Sequence, residues 1–261
     1  MTLELAGKNK NKNALVTVIE NIGNSESQKL LHKANILSLK NMHKSALKLY
    51  LRSILLNCKN QSAYFGAGIC YKNLNDFDKA IENFLKFRSL KPFDAKVHHQ
   101  LGICYNFIGR PDLAIKSIKT ALKLDPSDPD SQIQLAISHE LFEEYEMALK
   151  IYQKIIEETP GYIAAYNYKA TLYLNLKEYK KAAREFYKIL RLNPNYYNAY
   201  LGNGICFDRM KKIVNAVRYY KKFLKLKPKS SNFLNVKCRV EIIQRMQEKT
   251  SKLIDLKKTN F

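Results

Sequence analysis

Tryptophan is absent from these 261 residues, glycine and proline number nine and seven, and 23 acidic side chains face 45 Lys and Arg. Each shortage excludes something. The glycines make no phosphate cradle: Gly66, Gly68, Gly102, Gly202 and Gly204 fall inside helical patterning, without the strand-to-helix turn that presents backbone N–H groups. The five cysteines, Cys58, Cys70, Cys104, Cys206 and Cys238, include no Cys-x-x-Cys pair, so neither zinc nor dithiol chemistry is indicated. Among the histidines, His98 and His99 are adjacent and point to different helix faces, and none forms an i, i+4 metal pair. No nucleophile has a base beside it, and Glu143, Glu144 and Glu146 read as a solvated acidic turn. The chain is therefore read as non-enzymatic, with no catalytic residue, cofactor or metal. Long apolar runs are lacking too. The longest stretch free of charge, Leu192 to Phe207, has 16 residues and is broken by Pro194, and Met1 to Lys12 has no apolar core, so a cytoplasmic protein without a membrane span is expected.

What the chain does have is a ladder. Pro92, Pro126, Pro160, Pro194 and Pro228 are each 34 residues apart. On the same register lie Ala80, Ala114, Ala148, Ala182 and Ala216, then a small rung of Gly68, Gly102, Ala136, Ala170 and Gly204. A further rung holds Tyr71, Tyr105, His139, Tyr173 and Phe207. A fixed period of this size marks a stacked-repeat protein whose units bury their apolar faces on one another. Counting back adds one unit, with Ala34, Ala46 and Tyr50 on register and Cys58 in place of the proline. Six repeats result: residues 27–60, 61–94, 95–128, 129–162, 163–196 and 197–230.

Inside repeat two, Tyr64, Ala67, Gly68 and Tyr71 recur at helical spacing, Asn73 to Asp76 makes a polar turn, and Phe77, Ala80, Ile81, Phe84 and Phe87 give a second stripe. Lys91 and Pro92 stop it. The pattern predicts a helix, a turn and a helix in each repeat, with small residues where the paired helices cross. Cys70, Cys104 and Cys206 share one place before the aromatic rung and are expected buried and reduced. The leader, 1–26, is expected disordered over Lys8 to Asn13, then helical through Ala14, Leu15, Val18, Ile19 and Ile22. Gly23 is read as the end of that helix and Ser25 with Gln28 as a capping box for the next. A capping helix over 231–250 and a loose basic tail over 251–261 complete the chain.

With Tyr64-x2-Ala67-Gly68-x2-Tyr71, then Ala80-x3-Phe84, then Pro92, and with Tyr166-x3-Ala170-x2-Tyr173, then Ala182-x3-Phe186, then Pro194, the chain resembles the tetratricopeptide repeat family over residues 27–230. Tyr, His or Gln stands where that family usually has tryptophan. The resemblance implies an all-α, right-handed superhelical solenoid whose first helices line a concave groove for a protein or peptide partner. On that geometry Leu31, Asn35, Leu39, Phe65, Ile69 and Lys72 enter the groove first. Asn73, Lys96, His99, Ile103, Asn106 and Phe107 follow, and Ile133, Ile137, Asn167, Leu201 and Arg209 complete it. Such a lining suits an apolar peptide or helix face held by a few polar contacts. Family members that grip an acidic chaperone tail use five Lys, Arg and Asn positions. Here Asn35 and Lys96 match, while Leu31, Gly66 and Gln100 depart, so that role is not expected.

The basic excess is uneven. Repeat one has seven basic and no acidic residues, repeat four two against seven, repeat five seven against two, and repeat six nine against one. A nucleic-acid groove usually keeps one sign, so the acidic fourth repeat places a protein partner ahead of RNA. Two alternatives stand beside the scaffold reading. One is an RNA-associated repeat protein using repeats one, five and six. The other is a homo-oligomer in which acidic and basic repeats of different copies meet.

Overall fold

The structure is a computed structural model; it describes residues 2–226 and 230–259, with side chains from 21 onward except 227–229, 247 and 250–261. Among the described residues all regular structure is helical, in thirteen helices, and the fold is an all-α helical repeat. The chain forms two compact bodies, Met1–Glu144 and Tyr145–Phe261, so the boundary falls at the acidic turn inside the fourth repeat.

The first body holds α1 (Thr2–Leu39), α2 (His43–Leu56), α3 (Gln61–Asn73), α4 (Phe77–Leu90), α5 (Ala95–Phe107), α6 (Pro111–Leu124) and α7 (Pro129–Leu141). The second holds α8 (Tyr145–Glu158), α9 (Ile163–Asn175), α10 (Tyr179–Leu192), α11 (Tyr197–Arg209), α12 (Ile213–Leu226) and α13 (Phe233–Thr259). Gln61, Ala95, Pro129, Ile163 and Tyr197, the first residues of repeats two to six, are the first residues of α3, α5, α7, α9 and α11. Pro92, Pro126, Pro160 and Pro194 each stand two residues beyond the end of a second helix, where a residue without an N–H cannot continue it. Pro228 lies outside the described residues.

A rung of left-handed backbone sets the turn between paired helices. Asn41, Asn75, Gly109, Glu143, Lys177 and Lys211, again 34 residues apart, have φ between 58° and 71°. After each, an N–H returns to a carbonyl five residues back: Asp76 to Tyr71 (3.0 Å), Arg110 to Tyr105 (2.9 Å), Glu178 to Tyr173 (2.8 Å), Lys212 to Phe207 (2.9 Å). This is a Schellman closure, which satisfies carbonyls the helix end would leave bare. Residues of the aromatic rung thus give their carbonyls to the turn.

The small rung works by contact. A Cβ on Gly68 would stand 2.6 Å from the Phe84 ring, and one on Gly102 would stand 2.3 Å from Ile118. Phe84 and Ile118 are fully buried by this approach of backbones. Cys70, Cys104 and Cys206 are buried and free, as their shared register implies.

The ends differ from expectation. α1 runs without a break from Thr2 to Leu39, through the Lys8 to Asn13 stretch and through Gly23. Gly23 does not stop a helix, and Ser25 with Gln28 does not start one. A Cβ at Gly23 would meet the Leu56 carbonyl at 3.3 Å, so this glycine admits the end of α2. Beyond it the side chains of Ser27 and Ser53 are buried and bond each other and each other's carbonyls at 2.8–2.9 Å. That anchorage outweighs the cost of one helical glycine, about 1 kcal/mol. The side chains of Ala14 to Ile19 lie outside those described. At the other end α13 continues to Thr259, beyond the expected stop near Thr250. Val236 and Val240 join Ala216, Tyr220 and Phe223 in one cluster, whereas Met246 is 62% exposed.

Candidate functional site

In the first body α1 meets α3 and α5 meets α7, so first helices of successive repeats lie side by side in a layer within each pair. A cavity of about 410 Å³ opens at the first of these pairs. Its floor is apolar: Phe65, Ile69 and Phe87, with Phe65 packed on Phe84 and Phe87 at ring separations of 5.6 and 5.2 Å. One wall carries Asn35, Ser38, Gln61 and Ser62, and the mouth carries Lys91, Asp94 and Lys96. Lys91 pairs with Asp94 at 2.8 Å, and Asp94 caps α5 by accepting from the Lys96 N–H at 3.0 Å. Tyr50 reaches in from α2 and donates its hydroxyl to Asn35 Oδ1 at 2.7 Å. Burial raises the Tyr50 pKa, which keeps that donor protonated.

Of the residues assigned to a groove, Asn35, Phe65, Ile69 and Lys96 come together here. Leu31 and Ile133 do not line a surface: they are 8% and 3% exposed and pack in the interior. Leu39 and Phe107 lie open to solvent outside the cavity, Phe107 stacked on Phe77 at 4.6 Å. Lys72 is half-buried and donates to Gln100 Oε1 at 2.7 Å, and burial lowers its pKa. Asn73 stands 3.3 Å from His43 Nε2. His99 bonds Ser131 Oγ through Nδ1 at 2.8 Å, and burial lowers its pKa against the pull of Asp128 and Asp130. Ile103 and Ile137 are half-buried, and both amide atoms of Asn106 are buried without a partner. Asn167, Leu201 and Arg209 belong to the second body, where Leu201 packs against the α12–α13 cluster and Arg209 is exposed.

The sequence reading missed Ser38, Gln61 and Ser62, and it missed Tyr50 and Phe87, which come from second helices. Tyr50 had a signal in its rung, since Phe84, Ile118, Tyr152, Phe186 and Tyr220 follow at 34-residue steps. The cavity offers apolar surface, amides and hydroxyls, which is equipment for holding a ligand. Burial raises the thiol pKa of Cys104 to about 11 and of Cys206 to about 12, leaving both as packing groups. Among the described residues no group of three or more His, Cys, Asp or Glu could hold a metal ion, and no helix is long and apolar enough to cross a membrane.

The model of the tetratricopeptide repeat family matches residues 61–94, 95–128 and 163–196, in the frame set by the prolines. No curated protein matches the chain. Among solved structures, MamA is 26% identical, with 66% of this chain and 94% of its own covered and a TM-score of 0.52. YrrB, described as a tetratricopeptide-repeat protein with an unusual peptide-binding site, is 22% identical over 76% of this chain and 98% of its own, at a TM-score of 0.56. PilW, a type IV pilus biogenesis factor, is 18% identical over 80% and 97%, at 0.70. The last two likenesses speak to fold alone. Matched repeats, helix pairs and Schellman turns share one 34-residue frame, and the chain carries tetratricopeptide repeats at residues 61–94, 95–128 and 163–196.

Proposed function

We propose that this chain is a non-catalytic scaffold that holds an extended segment of a protein partner in the cavity of its first body. The observation that carries the reading is the cavity's division into an apolar floor and an amide and hydroxyl wall. An extended peptide alternates side chains with backbone polar groups. Phe65, Ile69 and Phe87 take an apolar side chain, while Asn35, Ser38, Gln61 and Ser62 satisfy its N–H and C=O groups. Three buried free thiols support a reducing compartment, which fits the cytoplasm.

Peptides selected from a random display library on the full chain test the reading by fluorescence anisotropy. Ser62 is exposed at the start of α3, so Ser62→Trp fills the cavity without touching the core. It is expected to weaken the selected peptides at least tenfold while helical circular dichroism stays unchanged. Leu55→Trp, on an exposed position of α2 away from the cavity, is expected to leave affinity within twofold. Equal affinities in the two variants would remove the reading.

A further inference from the structure

The second body has a cavity of its own, about 540 Å³, between α10 and α12 with α11 as its floor. It lies between two second helices, over the face that the first helix α11 turns toward them. Its rim is cationic: Lys180, Arg184, Lys188 and Arg191 from α10, and Lys212 at the start of α12. The four on α10 recur every three or four residues and so form one stripe, rising about 6 Å per four residues. Lys188 is bonded to Glu185 at 3.0 Å, but among the described residues no carboxylate pairs with Lys180, Arg184, Arg191 or Lys212.

The walls are aromatic. Tyr219 and Phe207 stack at 5.3 Å with 7° between their planes, and Tyr187 stands on the rim, 56% exposed. At the floor is Asn203, 1% exposed, with both amide atoms buried and without a hydrogen-bond partner. Desolvating a donor and an acceptor without replacing their bonds opposes folding. The register does not require it, because the same position in earlier repeats is Ala67, Leu101, Leu135 and Lys169, three of them apolar.

We propose that this cavity binds single-stranded nucleic acid, with a base against Tyr187 and the Tyr219–Phe207 stack and the flanking phosphates on the α10 stripe. Cations alone would serve an acidic peptide equally. A flat aromatic wall and an amide that offers both a donor and an acceptor match a nucleobase, which has a π-face and a mixed polar edge. The strip also continues: Lys180 and Met210 line a second cavity of about 360 Å³ together with Lys177, Tyr179, Lys181 and Glu178, the last two paired with each other, giving room for neighbouring nucleotides. The acidic fourth repeat, which argued against a groove of one sign along the whole chain, does not line this site.

The test is anisotropy of a fluorescein-labelled, mixed-sequence 12-nucleotide RNA titrated with the full chain. Four phosphate contacts predict that affinity falls about fiftyfold between 50 and 200 mM salt. Arg184→Glu with Arg191→Glu is expected to weaken binding at least tenfold, while Lys44→Glu with Lys48→Glu, an equal charge change on α2, costs less than twofold. Tyr187→Ala is expected to weaken binding roughly fivefold or more with the salt slope unchanged, the mark of lost stacking. Asn203→Leu is expected to keep or raise the melting temperature while narrowing the difference between purine and pyrimidine homopolymers. Equal losses from the two charge pairs would reduce the binding to net charge and overturn the proposal, as would full affinity in Tyr187→Ala. A 20-residue poly-glutamate that binds as tightly as the RNA, and is weakened by the same charge pair, would assign the site to acidic peptides instead. These readouts are independent of Ser62→Trp, so either site can fail alone.

Discussion

The two bodies repeat one 34-residue plan with different chemistry at equivalent places. In the first body the side chains of Asn60, Asp76, Asp94 and Asp128 cap α3, α4, α5 and α7. In the second, α9, α10 and α11 begin after Tyr162, Glu178 and Tyr196, none of which gives a side-chain cap. The left-handed turn residue is Asn41, Asn75 and Gly109 in the first body, with Glu143 as its exception, and Lys177 and Lys211 in the second. One interior rung reads Ala67, Leu101 and Leu135 in the first body, then Lys169 and Asn203 in the second. The helices form in both bodies. Caps and turn residues therefore favour the plan without being needed for it, and packing against the neighbouring repeat holds the helices of the second body in place.

Lys169 is the sharpest point of that difference. It is 7% exposed, donates to Gln153 Oε1 at 2.6 Å, stands 3.6 Å from Glu185 and approaches the Tyr173 ring at 5.9 Å. Removing one partner of a buried pair leaves the other charge desolvated, which costs about 3–5 kcal/mol. Because Lys188 still holds Glu185, Lys169→Met is expected at the lower end, about 3 kcal/mol, read as lost hydrogen-exchange protection in α9 and α10. Adding Glu185→Leu is expected to recover most of the loss. If the single variant exchanges like the parent, the polar rung of the second body is no more demanding than the apolar one of the first.

The repeat frame was legible in the sequence because packing fixes it: a bulky residue at Gly68 or Gly102 would meet Phe84 or Ile118, so the small rung is written in residue type. The turn rung was less so. Asn75 and Gly109 announce left-handed backbone, but Glu143, Lys177 and Lys211 do not, and only the register identifies them. Four groove residues converge on the cavity because a first-helix register places them on one face. Leu31 and Ile133 were misplaced since an apolar residue beside that face can equally turn toward the neighbouring helix. Asn203 lies between two close-packed glycines, and although its rung marks it as polar where Leu101 and Leu135 are apolar, its unpaired amide exists only in three dimensions.

Those turn residues give the next way to break the comparison. A non-glycine residue in the left-handed region costs roughly 1–2 kcal/mol, and Asn offsets part of this by local hydrogen bonding. Glycine removes the strain but adds unfolded-state freedom. Lys177→Gly and Lys211→Gly are each expected to stabilise the second body by about 0.5–1 kcal/mol. Asn75→Gly is expected to leave the first body unchanged within about 0.3 kcal/mol on the same reasoning. Urea melts followed by peptide-resolved hydrogen exchange measure both. Gains of equal size in the two bodies would mean that lysine is no worse than asparagine at this rung.

The smallest expected effect separates the bodies by pH. All five histidines, His32, His43, His98, His99 and His139, lie in the first body. Burial lowers the His99 pKa below its ordinary value, so the folded state favours the neutral ring. Its contribution is therefore complete above about pH 6.5 and is lost as the pH falls through the lowered folded pKa. Asp128 and Asp130 face the ring and temper the loss. In the second body the hydrogen bonds from Arg239 on α13, at 2.7 and 2.8 Å, hold Asp208 below the usual carboxylate range. That contribution is complete above about pH 4 and is lost only as pH falls through the lowered folded value. Between pH 6.5 and 4.5, exchange corrected for its intrinsic rate is expected to loosen in α5 and α7 and to hold steady in α11 and α13. His99→Gln, which cannot titrate, is expected to flatten the first profile. A parallel decline in both bodies would show that His99 does not govern the response of the first.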